Sequence, residues 1–291
     1  MIYWGCNPVE AHMRHLSRYS AISRGVFTPE GRKGRQVVAI DIRPTATTRG
    51  ADFFLQVIPG HTFEIATVLR ALVNGVSLEG DENHLEIAGV PLDSWRRVAD
   101  TIKGCRYGAL LFGLGVTQCR GRDMNVEQVA RLVQDASRYT RFYGMAMRGH
   151  GNVNGSNHVL AWQTGYPLAV NFSRGYPRYN PGEFSVVDML ARREPDAALI
   201  VATDPGAHLP LDAVQYLQSI PTIHLDPHCN LTTPWANVVI PVAPAGVAAA
   251  GTFYRMDNVP LRVKKLVESP YPSDEEVLEA IKEKIAHASD H

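Results

Sequence analysis

The sequence predicts an α/β protein made of Rossmann-like parallel sheets with flanking helices. Three observations carry that prediction. Short apolar runs of strand length alternate with longer stretches of helical period along most of the 291 residues, a pattern that favours parallel strands joined by crossovers. Several of the apolar runs end in turns containing Gly, Asn or Asp, where open α/β sheets bind their ligands. The composition, 45% hydrophobic and 20% charged, is that of an ordinary globular chain long enough to bury a substantial core.

Taken in order, residues 1–5 read as a strand running into the turn Gly5-Cys6-Asn7-Pro8. There is little lead-in, so the chain reads as if it begins inside something larger. Residues 10–20 read as a helix with Ala11, Leu16 and Tyr19 inward. The Arg-, Lys- and Gly-rich stretch 24–35 reads as an exposed loop. Residues 36–40 form an apolar strand ending at Asp41, with Asp41-Ile42-Arg43-Pro44-Thr45 at its carboxyl end. An acidic residue there can meet a ribose hydroxyl or can simply shape a turn.

Residues 53–58 read as a strand, and Thr62 can cap a helix over 62–73 with Ile65, Leu69, Leu72 and Val73 inward. A second helix spans 92–103 and a strand spans 108–112, opening into Gly113-Leu114-Gly115. A helix over 125–139 turns Val126, Val129, Ala130 and Val133 inward, and a strand spans 142–146. Met147-Arg148-Gly149-His150-Gly151-Asn152-Val153-Asn154-Gly155 follows. Its three glycines can let backbone approach a phosphate or a flat ligand, or can serve a strand-to-helix turn.

A short helix over 157–163 leads into a long aromatic loop, 164–182. Helices over 184–193 and 211–219 and strands over 197–202, 222–225 and 238–242 restore the alternation. Residues 246–263 read as irregular or hairpin-like, and 274–286 as an amphipathic helix with Val277, Leu278, Ile281 and Ile285 inward. The organisation is a first half over 1–145, a loop region mixed with it over 146–183, and a second half with the C-terminal helix over 184–291. A faint echo, Asn7-Pro8 with Ala11-His12 against Asp204-Pro205 with Ala207-His208, fits two related halves and fits chance.

Several functions are disfavoured. Lys+Arg and Asp+Glu both number 29, which gives no support for nucleic-acid or acidic-membrane binding. No apolar run approaches the roughly 20 residues of a membrane span. Cys6, Cys105, Cys119 and Cys229 form no Cys-x-x-Cys pair, so they read as free thiols of a cytoplasmic protein. Neither dinucleotide nor P-loop glycine signature occurs, nor a Gly-x-Ser-x-Gly elbow. His12 with His15, and His150 with His158, lack the further ligands a metal site needs.

Six segments together carry a resemblance: Tyr3-Trp4-Gly5-Cys6-Asn7-Pro8, Asp41-Ile42-Arg43-Pro44-Thr45, Met147-Arg148-Gly149-His150-Gly151-Asn152-Val153, Trp162-Gln163-Thr164-Gly165-Tyr166-Pro167, Tyr176-Pro177-Arg178-Tyr179-Asn180-Pro181-Gly182-Glu183 and Tyr254-Arg255-Met256-Asp257. In this order they resemble the B subunit of formylmethanofuran dehydrogenase, a molybdopterin oxidoreductase. The resemblance covers essentially the whole chain and implies molybdopterin oxidoreductase-type central domains. In that family the B subunit carries a tungsten or molybdenum bis-pterin centre and reduces CO2 to formate. Asn7, Asp41, Arg148, His150 and Asn152 match segments that cradle the pterin or face the metal.

The family's Cys-rich iron–sulfur segment and metal-ligating cysteine find no match among these residues, and Cys6 and Cys119 do not correspond to that ligand. The resemblance therefore points to the reduced relative found in the formyltransferase/hydrolase complex of methylotrophic one-carbon metabolism. There a formyl group passes from a tetrahydromethanopterin carrier to a methanofuran analogue and is hydrolysed to formate. The implied role is a non-catalytic, structural subunit with no catalytic residue, no metal ligand, and a remnant pterin crevice. Its partners are a zinc amidohydrolase-like A subunit, a C subunit, and a formyltransferase D subunit. Any methanofuran analogue is met at the level of the complex, with Arg174 and Arg178 as candidate contacts to its anionic tail. The alternatives are a fragment of a catalytic molybdenum or tungsten B subunit, the one reading that brings molybdopterin, and an unrelated small-molecule binding module.

Overall fold

The computed structural model describes residues 1–78 and 85–289. They divide into two compact units, Met1–His150 and Gly151–His291. The first is a five-stranded sheet of β1 (Ile2–Trp4), β2 (Val38–Asp41), β3 (Phe53–Gln56), β4 (Tyr107–Phe112) and β5 (Arg141–Ala146). All neighbours are parallel, in the order β3-β2-β1-β4-β5. The strand order reverses between β1 and β4.

Side chains alternate across this sheet as a pleated strand requires. Ile2, Trp4, Val38, Ile40 and Leu110 enter one core, while Tyr3, Ala39 and Leu111 are buried outside that cluster. The main core is closed by α1 (Thr62–Val73), α2 (Leu92–Gly104) and α3 (Arg122–Ala136). Ile65, Ala66, Leu69 and Val73 of α1 are wholly buried and Leu72 packs at their margin. Trp95 of α2 is buried, with its indole N–H donating to Ile87 O at 3.2 Å. α3 turns Val129 and Leu132 inward, with Val133 packed beside them, but Ala130 is exposed. Arg70 of α1 reaches across to Asp135 of α3 at 2.8 Å.

The expected continuous helix over 10–20 does not form. Arg14 adopts φ 66° and splits the stretch into the short helices Pro8–Ala11 and His15–Arg18. The kink rotates the inward face: His15 and Ser20 are buried, whereas Ala11 and Tyr19 are exposed. A helical period read through that residue points to the wrong side chains.

The second unit holds a parallel sheet of β6 (Ala198–Val201), β7 (Thr222–Asp226) and β8 (Val238–Pro241). α4 (Val153–Thr164) starts four residues earlier than the sequence indicates, immediately after Asn152 at φ 59°. α5 (Leu211–Ser219) buries Ala213 and Leu217 against Leu190. The region 246–263, read as irregular or hairpin-like, contains an antiparallel hairpin of β9 (Gly251–Tyr254) and β10 (Pro260–Val263). α6 (Asp274–Ser289) sets Val277 against Leu225 and Val242, with Ile281 at the margin. Leu278 and Ile285 of that helix are exposed, contrary to the amphipathic expectation. No helix among the described residues is long and apolar enough to cross a membrane.

Candidate functional site

The carboxyl edge of the first sheet is tied together by one side chain. Asn7, at the N-terminus of helix Pro8–Ala11, points its amide oxygen at the loop that follows β2. That oxygen accepts from Thr47 Oγ1 at 2.7 Å and from Thr47 N at 3.2 Å. Thr47 Oγ1 accepts in turn from Val9 N at 3.2 Å. Thr45 and Thr48 form a reciprocal capping box that fixes the same loop. Asp41 shapes its own turn, accepting from Ile42 N at 2.8 Å. Burial pushes its carboxyl above the ordinary value, against the pull of the Ile42 and Arg43 amides.

At the point where the strand order reverses, the loops after β1 and β4 pack directly on one another. Gly115 N donates to Gly5 O and Gly113 N to Trp4 O. A Cβ on Gly5 would lie 2.8 Å from Gly115 Cα, and one on Gly113 would lie 2.7 Å from Gly5 O. The glycines read as ligand-friendly thus admit protein backbone to protein backbone. Main chain fills the gap between these two loops, and the Gly113 and Gly115 amides are already engaged.

Behind this edge lies a polar cluster that the sequence did not reveal. Tyr3 OH pairs with Ser20 Oγ at 2.8 Å, and the Tyr3 ring meets His15 edge-on at 6.3 Å. Both His15 ring nitrogens are buried without a hydrogen-bond partner. Burial pushes this imidazole from its ordinary 6.5 down to about 4, and His12 beside it adds to the shift. An unfolded chain takes up the proton at the ordinary value and the folded one resists until about pH 4. The stability due to neutral His15 is therefore fully present above about pH 6.5 and falls progressively toward pH 4. Urea midpoints between those pH values should drop for the wild type and drop less for His15→Phe; parallel slopes would refute the assignment. Cys6, read as no metal ligand, is a half-buried thiol pushed up to about 12 by desolvation, with its S–H directed at Leu111 O.

The second unit repeats the clamp. Asp204 follows β6 as Asn7 follows β1, with φ −115° and ψ 81° against −122° and 71°. Asp204 Oδ1 accepts from Thr232 Oγ1 at 2.7 Å and Thr232 N at 3.0 Å. Gly206 N donates to Thr232 Oγ1 at 3.0 Å, matching Val9 and Thr47. Asp226 ends β7 as Asp41 ends β2, and each lies six residues before its threonine. Partial burial opposes ionisation of Asp204, but the Thr232 hydroxyl and the amides of Leu231 and Thr232 outweigh it and hold the carboxyl below its ordinary value. The echo between Asn7-Pro8 and Asp204-Pro205 is thus one local architecture used twice. The sequence signal that finds it is the shared Asp-to-Thr spacing.

The remaining residues indicated by sequence fall in three places. Arg148 and His150 are exposed at the end of the first unit, where Arg148 O meets His12 Nε2 at 2.6 Å. Asn152 belongs to the second unit and is bound to the hairpin: its Nδ2 donates to Thr252 O at 3.0 Å and its Oδ1 accepts from Tyr254 N at 2.8 Å. Asn154 does the same with Arg255 O at 2.7 Å. Arg178 is engaged inside the aromatic loop, donating to Asn171 and Ser173 and lying 4.7 Å over Phe184. Arg174, at the turn of that loop, is exposed. Among the described residues no three His, Cys, Asp or Glu side chains converge as metal ligands do.

No protein-family model matches the chain. It is 46% identical over 287 residues to the B subunit of the tungsten-containing formylmethanofuran dehydrogenase 2 of Methanocaldococcus jannaschii, an alignment covering 98% of this chain and 65% of that protein. Its counterpart in Methanococcus maripaludis is 42% identical with the same coverage. A chain of the formyltransferase/hydrolase complex of Methylorubrum extorquens, solved with methylofuran, superposes with a TM-score of 0.74 at 21% identity, covering 100% of this chain and 75% of that one. Acetylene hydratase of Pelobacter acetylenicus follows with a TM-score of 0.58 at 13% identity, covering 94% and 45%. The two structures show a shared fold; the two sequences show descent. The chain is a homologue of the formylmethanofuran dehydrogenase B subunits, and it spans 65% of their length.

Proposed function

We propose that this chain is a structural part of the B subunit of a formyltransferase/hydrolase-type complex in one-carbon metabolism, and that it contributes no reacting group of its own. The observation that carries the reading is the closed switch point. Where an open α/β sheet would receive a ligand, Gly5 and Gly115 are in backbone contact and Asn7 is committed to Thr47. These contacts stiffen the edge and engage the Gly5, Gly113 and Gly115 amides within the protein. The companions would be a zinc amidohydrolase-like A subunit, a C subunit and a formyltransferase D subunit. The exposed Arg174 is then the residue of the aromatic loop free to meet the anionic tail of a methanofuran analogue.

A second reading is favoured by a specific observation. Identity to the tungsten-containing dehydrogenase subunits is 42–46%, against 21% to the chain of the formyltransferase/hydrolase complex. On that reading the chain is the corresponding part of a catalytic B subunit, and a molybdopterin centre is held in the assembled enzyme. Metal analysis of the purified native complex separates the two. The structural reading expects zinc without stoichiometric molybdenum or tungsten. One tungsten or molybdenum per complex, with iron, overturns it in favour of the dehydrogenase.

A further inference from the structure

The first unit leaves several large apolar side chains of one short stretch of chain exposed. Met13 is 89% exposed, Val26 90% and Phe27 88%. Tyr19 and Ile22 beside them in sequence are also more than half exposed. Large apolar side chains so exposed, and so concentrated within fifteen residues, are unusual on a free surface.

The loop that carries Val26 and Phe27 is held in shape. Gly25 and Thr28 exchange two backbone hydrogen bonds, which closes a tight turn with Val26 and Phe27 at its tip. Arg35 braces that turn from behind: Nη1 donates to Ser23 O at 2.6 Å and Nη2 to Thr28 Oγ1 at 3.0 Å. Gly31, at φ 60°, lets the loop close on Ile22, since a Cβ there would lie 2.9 Å from Ile22 O. An apolar tip fixed in advance loses little entropy when it is covered, as a binding anchor requires.

Exposed Glu10 and Glu30 bracket a stretch whose charged side chains are otherwise all basic. Residues 11–29 contain Arg14, Arg18 and Arg24 and no Asp or Glu. All three arginines are exposed, and none forms an ion pair with a carboxylate among the described residues. All are arginine, which binds carboxylates through two parallel N–H bonds and is enriched at protein interfaces where lysine is depleted.

We infer that residues 13–27 form a docking face for a companion protein subunit whose surface offers an apolar pocket bordered by carboxylates. Phe27 and Val26 fill the pocket, and Arg14, Arg18 and Arg24 pair with the carboxylates. The inference rests on the proposed assembly and names the face through which it is made.

The test uses the full chain and the A, C and D subunits purified without it. Wild type should bind them, with affinity falling as salt is raised. Val26→Asp/Phe27→Asp should keep its thermal midpoint, because both side chains are exposed, and should bind at least about 30-fold more weakly. Arg24→Glu should flatten the salt dependence. In the assembled complex, p-benzoyl-phenylalanine in place of Phe27 should crosslink to a companion peptide containing Asp or Glu. Equal binding by wild type and the double Asp variant overturns this face and leaves the assembly standing. Failure of the wild type to bind overturns both. Crosslinking only to a second copy of this chain, or binding to phosphatidylserine vesicles that the double variant loses, overturns the companion in favour of that occupant.

Discussion

Gly5→Ala is expected to cost roughly 2–5 kcal/mol of folding stability, the sum of two separable penalties. Gly5 sits at φ +56°, a left-handed conformation that an L side chain adopts at a cost of about 1–2 kcal/mol. The added Cβ would also lie 2.8 Å from Gly115 Cα and 2.9 Å from Gly115 C. Both are main-chain atoms, which cannot swing away as the end of a long side chain can, so overpacking adds about 1–3 kcal/mol more. Two further variants separate the terms. Gly115→Ala meets the same backbone at 2.8 Å without the left-handed strain. Gly75→Ala carries φ +78° with nothing within 4 Å, so it reports strain alone. Urea unfolding should rank the losses Gly5 over both others. A Gly5→Ala loss no greater than that of Gly75→Ala would mean that the two loops part readily. The switch point would then be open to a ligand after all.

That result bears on how much could be read from the chain. The amphipathic helices were legible because burial has a period: Ile65, Leu69 and Val73 are one face of α1, and the core takes them as spaced. The parallel sheets were legible because strands buried on both faces are continuous apolar runs. The identity of the turn glycines was also plain. Their purpose was not, because Gly5 owes its role to Gly115, 110 residues away. The same distance hid the clamp. Asn7 and Asp204 announced themselves before proline, but their threonine partners stand on a different loop and look like any surface threonine. Arg14 is harder still. Nothing in its type predicts a left-handed backbone, yet it divides one expected helix into two and brings His15 under the sheet. Arg174 and Arg178 were alike in sequence, and only packing separates the one held by Asn171 and Phe184 from the one left exposed.

Because the clamp occurs twice, with an amide in one copy and a carboxylate in the other, the chain contains its own control. Asp204→Ala removes the acceptor for Thr232 Oγ1, Thr232 N and Leu231 N together. Thr232 is fully buried, so its hydroxyl loses a charged acceptor with little water to replace it. Hydrogen bonds to a charged group contribute about 1.5–3 kcal/mol, and they are not additive within one network, so a total loss of about 3 kcal/mol is expected. Asp204→Asn keeps one oxygen acceptor in the arrangement that Asn7 uses on Thr47, and should lose about 1 kcal/mol, the part due to charge and to Leu231. The two variants should also differ in pH response. The Asp204 carboxyl is held below its ordinary 3.8. Its contribution is therefore complete above about pH 4 and disappears as acid protonates the folded form. Asp204→Asn should remove that acid limb and keep most of the neutral-pH stability. Equal losses for Ala and Asn at neutral pH would mean that the ionised carboxylate itself, and not the shared clamp geometry, holds the second unit's edge.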